Sequence, residues 1–451
     1  MRLGTVVAAC AAAMALVATG CHAVDEEPSP PRHLVLITVD TWRADHALTQ
    51  RGGVDLTPRL AELAAGAVVF TDAWSVANAT SPGVSGFLTG LLPGRSGVVT
   101  NDHVLNLAVP TLAERLSEAG FATGGFVANP VVGPGYGFEQ GFDHYELLPR
   151  PHDYRTAKAP SVNQRAITWL RSVDPDRRVF LWLHYMEPHG PYQPLPECAA
   201  LFDIDAFGEP VPVGIQPEGK NGGRGAVPFY QTIGFRPPPT DGRDYLLRYA
   251  AEVRCVDAGI GDMLDRLRAE GLLADAVVAI AADHGEALLG DHGFFFSHAN
   301  GLTEDQIDVP LMIAAPGLPA ATVDRPVSTA DIVPTVVALL GLEPPDYVDG
   351  ADLLAGEATP VFAARLDERA VRAGRWKLVV DDVGGAPRLF DLVEDPAEVD
   401  DVAADHPETV AALLADLADV DTRRVFATPV DRGELDESTR DQLRALGYVS
   451  D

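Results

Sequence analysis

Basic residues are scarce in this chain of 451 residues. It has 34 lysines and arginines against 65 aspartates and glutamates, which gives a formal net charge of −31. No basic run is present that would neutralise a phosphate backbone, so the composition argues against nucleic-acid binding. The acidic residues are spread along the chain, are densest in Asp391–Asp405, and are typical of a solvated surface.

Cysteine is also rare, with 4 residues in the whole chain. Cys10 and Cys21 fall in the N-terminal segment, which leaves Cys198 and Cys255 for the rest. No CxxC pair and no Cys/His cluster of zinc-finger spacing occurs, which argues against a structural zinc module. An oxidising compartment would permit a disulfide between Cys198 and Cys255, but the sequence does not tell whether they lie near each other.

The N-terminus has the features of an export signal. After a positively charged start, the apolar run Val6–Ala18 has the length of a signal peptide and is too short to span a bilayer comfortably. Val17–Cys21 resembles a bacterial lipobox, whose cysteine is lipidated. We therefore predict a signal peptide at 1–21 and a proline-containing tether at 22–32. The expected product is an exported bacterial lipoprotein, anchored to the cell envelope at its periplasmic or outer membrane face; an ordinary cleaved secretory signal is the alternative.

Apolar runs alternate with amphipathic segments through residues 33–354. Short continuous apolar runs predict strands buried on both faces of a sheet, namely His33–Val39, Ala67–Phe70, Phe121–Ala128, Val179–His184, Ala276–Ala281 and Val309–Ala314. Helices are predicted at Thr57–Ala65, Thr111–Ala119, Ser161–Ser172, Tyr245–Glu270 and Asp331–Leu340. This alternation predicts an α/β fold with a doubly wound sheet.

Two regions depart from the alternation. Residues 193–244 are rich in proline and glycine without sustained periodicity, which predicts a long insertion loop that is functional or mobile. Further on, Val371–Val380 and Arg388–Leu392 predict antiparallel strands, and Pro407–Leu417 predicts a helix. We therefore expect a small C-terminal α+β subdomain at 355–451 beside a catalytic domain at 33–354.

The stretch around Thr80 indicates an anion site. Ser81 is a good N-cap residue and Pro82 fits the first helical position, so a helix is predicted to begin there. Thr80 would then lie at the mouth of a helix whose free N–H groups favour an anion. A hydroxyl in that position can attack or hold a phosphate or sulfate. Taken alone, the stretch is also explained by a Ser-Pro start of an apolar helix.

Metal-capable and acid–base residues follow three of the predicted strands. Asp40 follows the first, His184 and His189 lie at the end of another, and Asp283 and His284 follow a third. Because ligands bind outside the carboxyl ends of strands in open α/β sheets, we expect these side chains to meet. Carboxylates with an imidazole suit one divalent cation, which would be Ca²⁺, Mg²⁺, Mn²⁺ or Zn²⁺.

In their order along the chain, these motifs resemble the sulfatase branch of the alkaline phosphatase superfamily, over nearly the whole mature chain. The similar segments are LVLITVDTWRADH, TSPGVSGFLTGLLPGRSGV, LHYMEPHGPY, YAAEVRCVDAGIGDMLDRL, VAIAADHGEALLGDHGFFFSH, DIVPTVVALLGL and VRAGRWKLVV with RLFDLVEDPAE. The resemblance implies a large, mixed, mostly parallel sheet flanked by helices. It also implies a metal-dependent hydrolase of sulfate or phosphate esters. Its substrate would be an anionic ester of a glycan, lipid or small molecule, and it would meet membranes only through the lipid anchor.

The resemblance assigns a metal site and a nucleophile. By position, Asp40, Asp283 and His284 would bind the metal. Thr80 would be both the nucleophile and a metal contact. Thr41 stands where many sulfatases have a second aspartate ligand.

The resemblance also assigns the residues that meet the substrate. His189 and His298 match positions that contact the transferred anion or the leaving oxygen, and would be catalytic. His184 and Asn101 are expected to line the site as substrate-binding residues.

The nucleophile segment departs from the family pattern. Sulfatases oxidise a Cys or Ser, two residues before the Pro, to formylglycine, and here that position is Thr80, which cannot become an aldehyde. Threonine is the nucleophile in phosphodiesterase and phosphotransferase branches, so the sequence favours phosphoester chemistry over formylglycine-dependent sulfate hydrolysis. Gly83 and Val84 stand where the family has Ser-Arg or Ser-His, which removes one anion contact.

Two other functions fit the same motifs. One is a transferase that moves a phospho-headgroup onto an envelope glycan or lipid, which a membrane tether would suit. The other is a catalytically degenerate relative that binds anionic glycans or a partner, which the residues Thr41 and Val84 favour.

Overall fold

A computed structural model describes residues 29–148, 158–220, 222–356, 358–433, 440 and 443–448 of the chain. The predicted signal peptide at 1–21 and residues 22–28 of the predicted tether lie outside these ranges. Within them, no helix is both long enough and apolar enough to cross a membrane.

Strands and helices alternate along the chain. The strands are β1 (His33–Val39), β2 (Gln50–Arg51), β3 (Val54–Asp55), β4 (Val68–Phe70), β5 (Ala73–Trp74), β6 (Ala122–Val127), β7 (His144–Leu147), β8 (Val179–Tyr185), β9 (Ala276–Ala282), β10 (Ala287–Leu289), β11 (Phe295–Ser297), β12 (Leu311–Ala314), β13 (Ala321–Val323), β14 (Val327–Ser328), β15 (Val361–Arg365), β16 (Glu368–Ala373), β17 (Trp376–Asp381) and β18 (Arg388–Asp391). The helices are α1 (Pro58–Ala64), α2 (Thr80–Thr89), α3 (Pro93–Ser96), α4 (Leu112–Glu118), α5 (Ala159–Leu170), α6 (Pro196–Ala199), α7 (Gly242–Ala269), α8 (Glu304–Ile307), α9 (Ile332–Leu339) and α10 (Pro407–Asp421).

An 8-stranded sheet, in the order β13-β4-β12-β9-β1-β8-β6-β7, forms the centre of the fold. The neighbours from β9 to β7 pair in parallel, whereas β12 pairs antiparallel with both β9 and β4. The prediction of a mixed, mostly parallel α/β sheet is confirmed. The apolar run predicted at Val309–Ala314 contains the antiparallel strand, because an apolar run does not reveal strand direction.

Strand β1 explains why helices cover both faces of the sheet. Its side chains alternate between two hydrophobic clusters, with Leu34 and Leu36 in one and Val35 and Ile37 in the other. All four are fully buried, because successive side chains of a strand point to opposite faces. Helices α2, α4 and α9 contribute to the first cluster and α1, α5 and α7 to the second. A strand buried on both faces has no polar side, so its sequence is continuously apolar.

A second sheet lies in the C-terminal part of the chain. Strands β15 to β18 form an antiparallel meander, and α10 packs on it through Leu413 and Leu417. The apolar run Val371–Val380 is not one strand, because the chain turns between β16 and β17 at Gly374, whose φ is +57°. The expected antiparallel sheet with its helix is therefore present, with its strands divided at this glycine.

The segment predicted as a long loop at 193–244 connects β8 to α7. Apart from residue 221, it is described and carries α6 and two 3-10 turns, at Ile204–Phe207 and Phe229–Thr232, and α7 begins within its last residues. Cys198 of α6 forms a disulfide with Cys255 of α7, with the two Cα atoms 5.7 Å apart. The bond therefore links the start of this segment to α7, which packs against the central sheet.

We expect the Cys198–Cys255 disulfide to stabilise the protein. Replacing both cysteines by serine should lower the free energy of unfolding by about 2–4 kcal/mol, because the bond restricts the unfolded chain. Urea unfolding measured without reductant would report the loss, and limited proteolysis should cut within residues 193–241 more readily. Wild-type protein treated with dithiothreitol is the matched control and should shift equally. Identical unfolding midpoints for the oxidised wild type and the double variant would contradict the prediction.

Candidate active site

Four neighbouring strands end at one edge of the central sheet. Asp283 follows β9, Asp40 follows β1, His184 is near the end of β8, and Asn129 lies just beyond β6. The parallel registers align these strand ends, and each of the four residues is fully buried. The predicted meeting of strand-end side chains therefore occurs, and it includes an asparagine that the sequence analysis did not single out.

Asp40, His184 and Asp283 form a group that fits a metal ion. One donor atom of each lies within 4.8 Å of the others. Asp40 Oδ1, His184 Nε2 and Asp283 Oδ2 are buried and have no hydrogen-bond partner in the part of the chain that the structure describes. Since buried polar atoms in proteins are normally partnered, a cation bound between them would satisfy all three. His184, which the strand-end pattern marks as metal-capable and the resemblance assigns to substrate binding, thus lies in the metal-capable group.

His284 faces the same two carboxylates. Its Nε2 lies 3.7 Å from Asp40 Oδ1 and 3.9 Å from Asp283 Oδ2. Its Nδ1 lies 2.8 Å from the carbonyl oxygen of Gly285, and since a carbonyl only accepts, Nδ1 holds the proton. Burial, together with the neighbouring His298, lowers the pKa of His284 to about 3. The neutral imidazole therefore offers the lone pair on Nε2, which is the form that binds metals.

The two carboxylates have opposite pKa shifts. Burial raises the pKa of Asp283 well above its ordinary value, and the charge of Asp40 raises it further. Burial also acts upward on Asp40, but His189, His184 and His284 outweigh it and hold the pKa of that carboxyl well below its ordinary range. Two buried carboxylates that face each other repel, and a divalent cation between them would remove the repulsion. This is a second feature that fits a metal.

Thr41 supports Asp283 through its backbone. Its N–H donates to Asp283 Oδ1 at 3.2 Å, and its carbonyl accepts from the Tyr249 hydroxyl at 2.7 Å. Thr41 has φ +54°, which costs a β-branched residue of order 1–3 kcal/mol and is typical of functional sites. Its own hydroxyl is buried and has no hydrogen-bond partner among the described residues. Thr41 therefore positions a candidate ligand, although it is not a carboxylate itself.

Thr80 lies at the start of α2 and is fully buried beside the metal-capable group. Its Oγ1 lies 3.4 Å from His284 Nε2 and 3.4 Å from Asn129 Nδ2. Thr80 is the first residue of this 10-residue helix, so its hydroxyl lies at the positive end of the helix dipole. The position suits a group that attacks or holds an anion.

The predicted N-cap at Ser81 is wrong. Helix α2 begins at Thr80 with Ala79 as its cap, and the Ser81 hydroxyl donates to the carbonyl of Val131 at 2.9 Å. The backbone N–H of Ser81 donates to Asn101 Oδ1 at 2.8 Å. Asn101 thus supplies, from a neighbouring loop, the acceptor that a capping side chain would provide, a contact that no local sequence pattern reveals.

His189 and His298 lie side by side near the metal-capable group. Their ring centroids are 5.0 Å apart, and His298 lies 4.6 Å from the ring of His284. His298 Nδ1 donates to Glu286 Oε1 at 3.0 Å. Burial by itself lowers the pKa of His298, but the charge and hydrogen bond of Glu286 outweigh it, so the pKa is raised. Glu286 was not predicted as a site residue; it lies in the same strand-end motif as Asp283.

Asn129 and Tyr448 complete the site. Asn129 Nδ2 donates to Asp40 Oδ2 at 2.5 Å and to Tyr448 Oη at 2.6 Å. Tyr448 Oη also lies 3.2 Å from Thr80 Oγ1 and 2.9 Å from His189 Nε2. The strand-end rule applied to Phe121–Ala128 would have found Asn129. No motif or spacing points to Tyr448, which is 368 positions from Thr80.

A cavity of about 280 Å³ opens beside these side chains. Its walls come from distant parts of the chain and include Asn101, Tyr230, His298, Arg365 and Tyr448. Tyr230 belongs to the 193–244 segment, and Arg365 brings a cationic side chain from the end of β15. The cavity adjoins the edge of the sheet where Thr80 lies, since the Tyr448 hydroxyl in its wall is 3.2 Å from Thr80 Oγ1.

Comparison with known proteins agrees with this arrangement. Residues 32–342 match the family described as Sulfatase. The chain is 27% identical over 393 residues to the ulvan-active sulfatase of Formosa agariphila, covering 81% of this chain and 71% of that protein. The phosphonate monoester hydrolase of Agrobacterium radiobacter has a similar fold, with a TM-score of 0.69, 20% identity, and coverage of 90% of this chain and 100% of that one. A structure solved in complex with its substrate D-glucosamine-2-N,6-O-disulfate gives a TM-score of 0.68 at 18% identity, over 87% and 98% of the two chains.

We expect the purified protein to contain a divalent metal that depends on Asp283. Asp283→Ala should abolish binding, because it removes one of the two carboxylates and leaves Asp40 alone. Elemental analysis after exhaustive dialysis would measure the metal in both proteins. Asp265→Ala, which alters an exposed aspartate, is the control and should keep the metal. A wild-type protein without a divalent metal, or an Asp283→Ala variant that retains it, would refute the site.

We expect Glu286 to set the protonation of His298. Glu286→Gln keeps the shape but removes the charge, so the pKa of His298 should fall. If protonated His298 is the active form, activity at neutral pH should drop about 10- to 100-fold, and its loss at high pH should begin at a lower pH. The pH–rate profile measures both effects.

Tyr192→Phe is the matched control for Glu286→Gln. It removes the other hydrogen bond of Glu286, which the Tyr192 hydroxyl donates to Oε2 at 2.9 Å, and leaves the charge in place. Its profile should stay near that of the wild type. A Glu286→Gln profile that overlies the wild-type one would show that Glu286 does not act through His298.

Proposed function

The chain belongs to the sulfatase family and is a hydrolase of sulfate or phosphate esters, and from this premise we propose that it cleaves phosphoesters with Thr80 as the nucleophile. The observation that carries the proposal is the position of Thr80 Oγ1, at the N-terminus of α2 and beside the buried group of Asp40, His184 and Asp283. Threonine has no route to formylglycine, so the aldehyde chemistry of the family's Cys or Ser nucleophiles does not apply. A phosphoryl group accepts direct attack by an alkoxide.

A divalent metal is the proposed cofactor. Asp40, Asp283, His184 and His284 would hold it, and it would lower the pKa of the Thr80 hydroxyl and neutralise charge on the transferred group. The unpartnered buried atoms of Asp40, His184 and Asp283 support this assignment, as does the position of His284 Nε2, which faces both carboxylates. The ligand set of carboxylates and imidazoles is compatible with Ca²⁺, Mg²⁺, Mn²⁺ or Zn²⁺.

The proposed reaction has two half-reactions. Thr80 Oγ1, having lost its proton to water, forms a bond to phosphorus while the bond from phosphorus to the leaving oxygen breaks. His298, held by Glu286 with a raised pKa, gives a proton to that leaving oxygen. Water then attacks the phosphothreonine and gives a proton back to His298, while the bond from phosphorus to Thr80 Oγ1 breaks. The freed Thr80 oxygen regains its proton from water, and phosphate or its monoester is released.

An anionic ester of a glycan is the substrate class we propose. The cavity next to the site is lined by polar side chains, including His298 and Tyr448, and by the cation Arg365. Two similar proteins support the class: one is called an ulvan-active sulfatase, and another was solved with a disulfated glucosamine as its substrate. The likeness to a phosphonate monoester hydrolase supports the phosphorus chemistry.

We also propose that the protein works outside the cytoplasm, as a lipoprotein of the cell envelope. The signal-peptide features of residues 1–21 support export. The Cys198–Cys255 disulfide supports it independently, because such bonds persist in oxidising compartments.

Thr80→Ala is expected to abolish turnover. The variant lacks the attacking oxygen, so hydrolysis of bis(p-nitrophenyl) phosphate should fall by about 1,000-fold or more. Rapidly quenched wild-type reactions should contain a phosphorylated Thr80 peptide, detected by mass spectrometry. Thr89→Ala is the control, since the Thr89 hydroxyl donates to Ser85 O within the same helix, away from the site. Turnover that persists in Thr80→Ala would remove Thr80 from the mechanism.

A substrate panel separates the phosphoester from the sulfate-ester function. Wild-type protein would be assayed with an aryl sulfate, a phosphate monoester, a phosphate diester and a phosphonate monoester of the same p-nitrophenol leaving group. We expect kcat/KM to be higher for one of the phosphorus esters than for the sulfate. A preference for the sulfate, or binding of these anions without turnover, would contradict the proposal.

A further inference from the structure

The Tyr448 hydroxyl lies among the side chains that would surround a transferred anionic group. It is 3.2 Å from Thr80 Oγ1, 2.6 Å from Asn129 Nδ2 and 2.9 Å from His189 Nε2. Its ring packs beside His189, with centroids 5.3 Å apart. A group bound next to the nucleophile would therefore meet this hydroxyl.

The directions of these hydrogen bonds are fixed by the partners. His189 Nδ1 lies 2.6 Å from the carbonyl of Gly190, so Nδ1 holds the proton of the neutral ring and Nε2 accepts. Burial lowers the pKa of His189, which favours that neutral ring. Tyr448 therefore donates to His189, and Asn129 donates to Tyr448. The phenol oxygen is thus held in one place. Its O–H, which donates to His189 here, can turn to donate to a bound anion instead.

The residues that follow Thr80 in the helix provide no side chain for an anion contact. Where the resembling family has Ser-Arg or Ser-His, this chain has Gly83 and Val84. A Cβ on Gly83 would lie 2.3 Å from the backbone oxygen of Asp283, so no side chain fits there. Val84 is fully buried in a hydrophobic cluster. An anion contact must therefore come from another part of the chain.

The segment that carries Tyr448 is built into the fold. Leu443 is fully buried, and Leu446 is 6% exposed and belongs to a core cluster. Gly447 has φ +85°, and a Cβ there would lie 2.6 Å from the ring of Tyr230. Tyr448 forms part of the wall of the cavity of about 280 Å³. Because the buried leucines anchor this segment in the core, Tyr448 is a fixed part of the site.

We propose that Tyr448 contacts the substrate, donating a hydrogen bond from its hydroxyl to an oxygen of the group transferred to Thr80. It serves as the anion contact that Gly83 and Val84 cannot provide. The inference rests on the proposed function, since it presumes transfer to Thr80. Such a donor stabilises charge that develops on the transferred group, and so acts on the chemical step more than on binding of the ester.

Tyr448→Phe tests the proposal, because it removes one oxygen and keeps the ring that packs against His189. We expect kcat for bis(p-nitrophenyl) phosphate to fall about 100-fold with a smaller change in KM. Inhibition by orthovanadate, which mimics the transferred phosphoryl group, should weaken by a similar factor. The thermal unfolding midpoint should stay unchanged, whereas a purely structural role of the hydroxyl would lower it.

Tyr245→Phe is the matched control, since the Tyr245 hydroxyl donates to the carbonyl of Pro239 and lies outside the cavity. Its kcat and vanadate inhibition should equal those of the wild type. A Tyr448→Phe variant with wild-type kcat and vanadate inhibition would overturn the proposal. A rise in activity in Tyr448→Phe or Tyr448→Ala would also overturn it, because Tyr448 would then be an autoinhibitory plug.

Failure of this inference can be told apart from failure of the proposed function. If Thr80→Ala keeps its turnover, the nucleophile is wrong, and the Tyr448 proposal falls with it. If Thr80→Ala is inactive and Tyr448→Phe is fully active, the nucleophile stands and only the role of Tyr448 is refuted.

Discussion

Two buried carboxylates on neighbouring strands need a positive charge between them. Asp40 and Asp283 follow parallel strands at the centre of the sheet and face each other with unpartnered oxygens. Burial and the charge of Asp40 together raise the pKa of Asp283 well above its ordinary value. The neutral Nε2 of His284 faces both carboxylates. The rest of the site is arranged around this unmet charge, including the strained backbone of Thr41, which holds Asp283 in place.

Close packing between α2 and the end of β9 brings Thr80 to that charge. Gly83 lies so near the backbone of Asp283 that no Cβ fits between them. The same contact leaves no room for a side chain at position 83, and Val84 beside it is buried in a hydrophobic cluster, so neither residue supplies a cation. Thr80 Oγ1 therefore has the metal-capable group beside it together with two neutral side chains, Asn129 and Tyr448.

Several residues that line the cavity come from segments outside the central sheet. The 193–244 segment contributes Tyr230, the C-terminal sheet contributes Arg365, and residues 443–448 contribute Tyr448. The disulfide between Cys198 and Cys255 fastens the first of these segments to α7. In α/β folds the chemistry at the strand ends is shared, while the surrounding segments decide which group reaches it.

The sequence by itself determined the layered α/β fold and the residues that follow its strands. Short continuous apolar runs indicate strands buried on both faces, and the carboxyl ends of parallel strands share one edge, so the meeting of Asp40, Asp283 and His284 was predictable. Other features depend on contacts between distant residues, which no local pattern encodes. Only the tertiary structure decided the antiparallel direction of β12, the pairing of Cys198 with Cys255, and the presence of Tyr448 beside Thr80. The hydrophobic periodicity of a segment indicates which of its faces is buried. The element that packs against that face depends on residues far away in the chain.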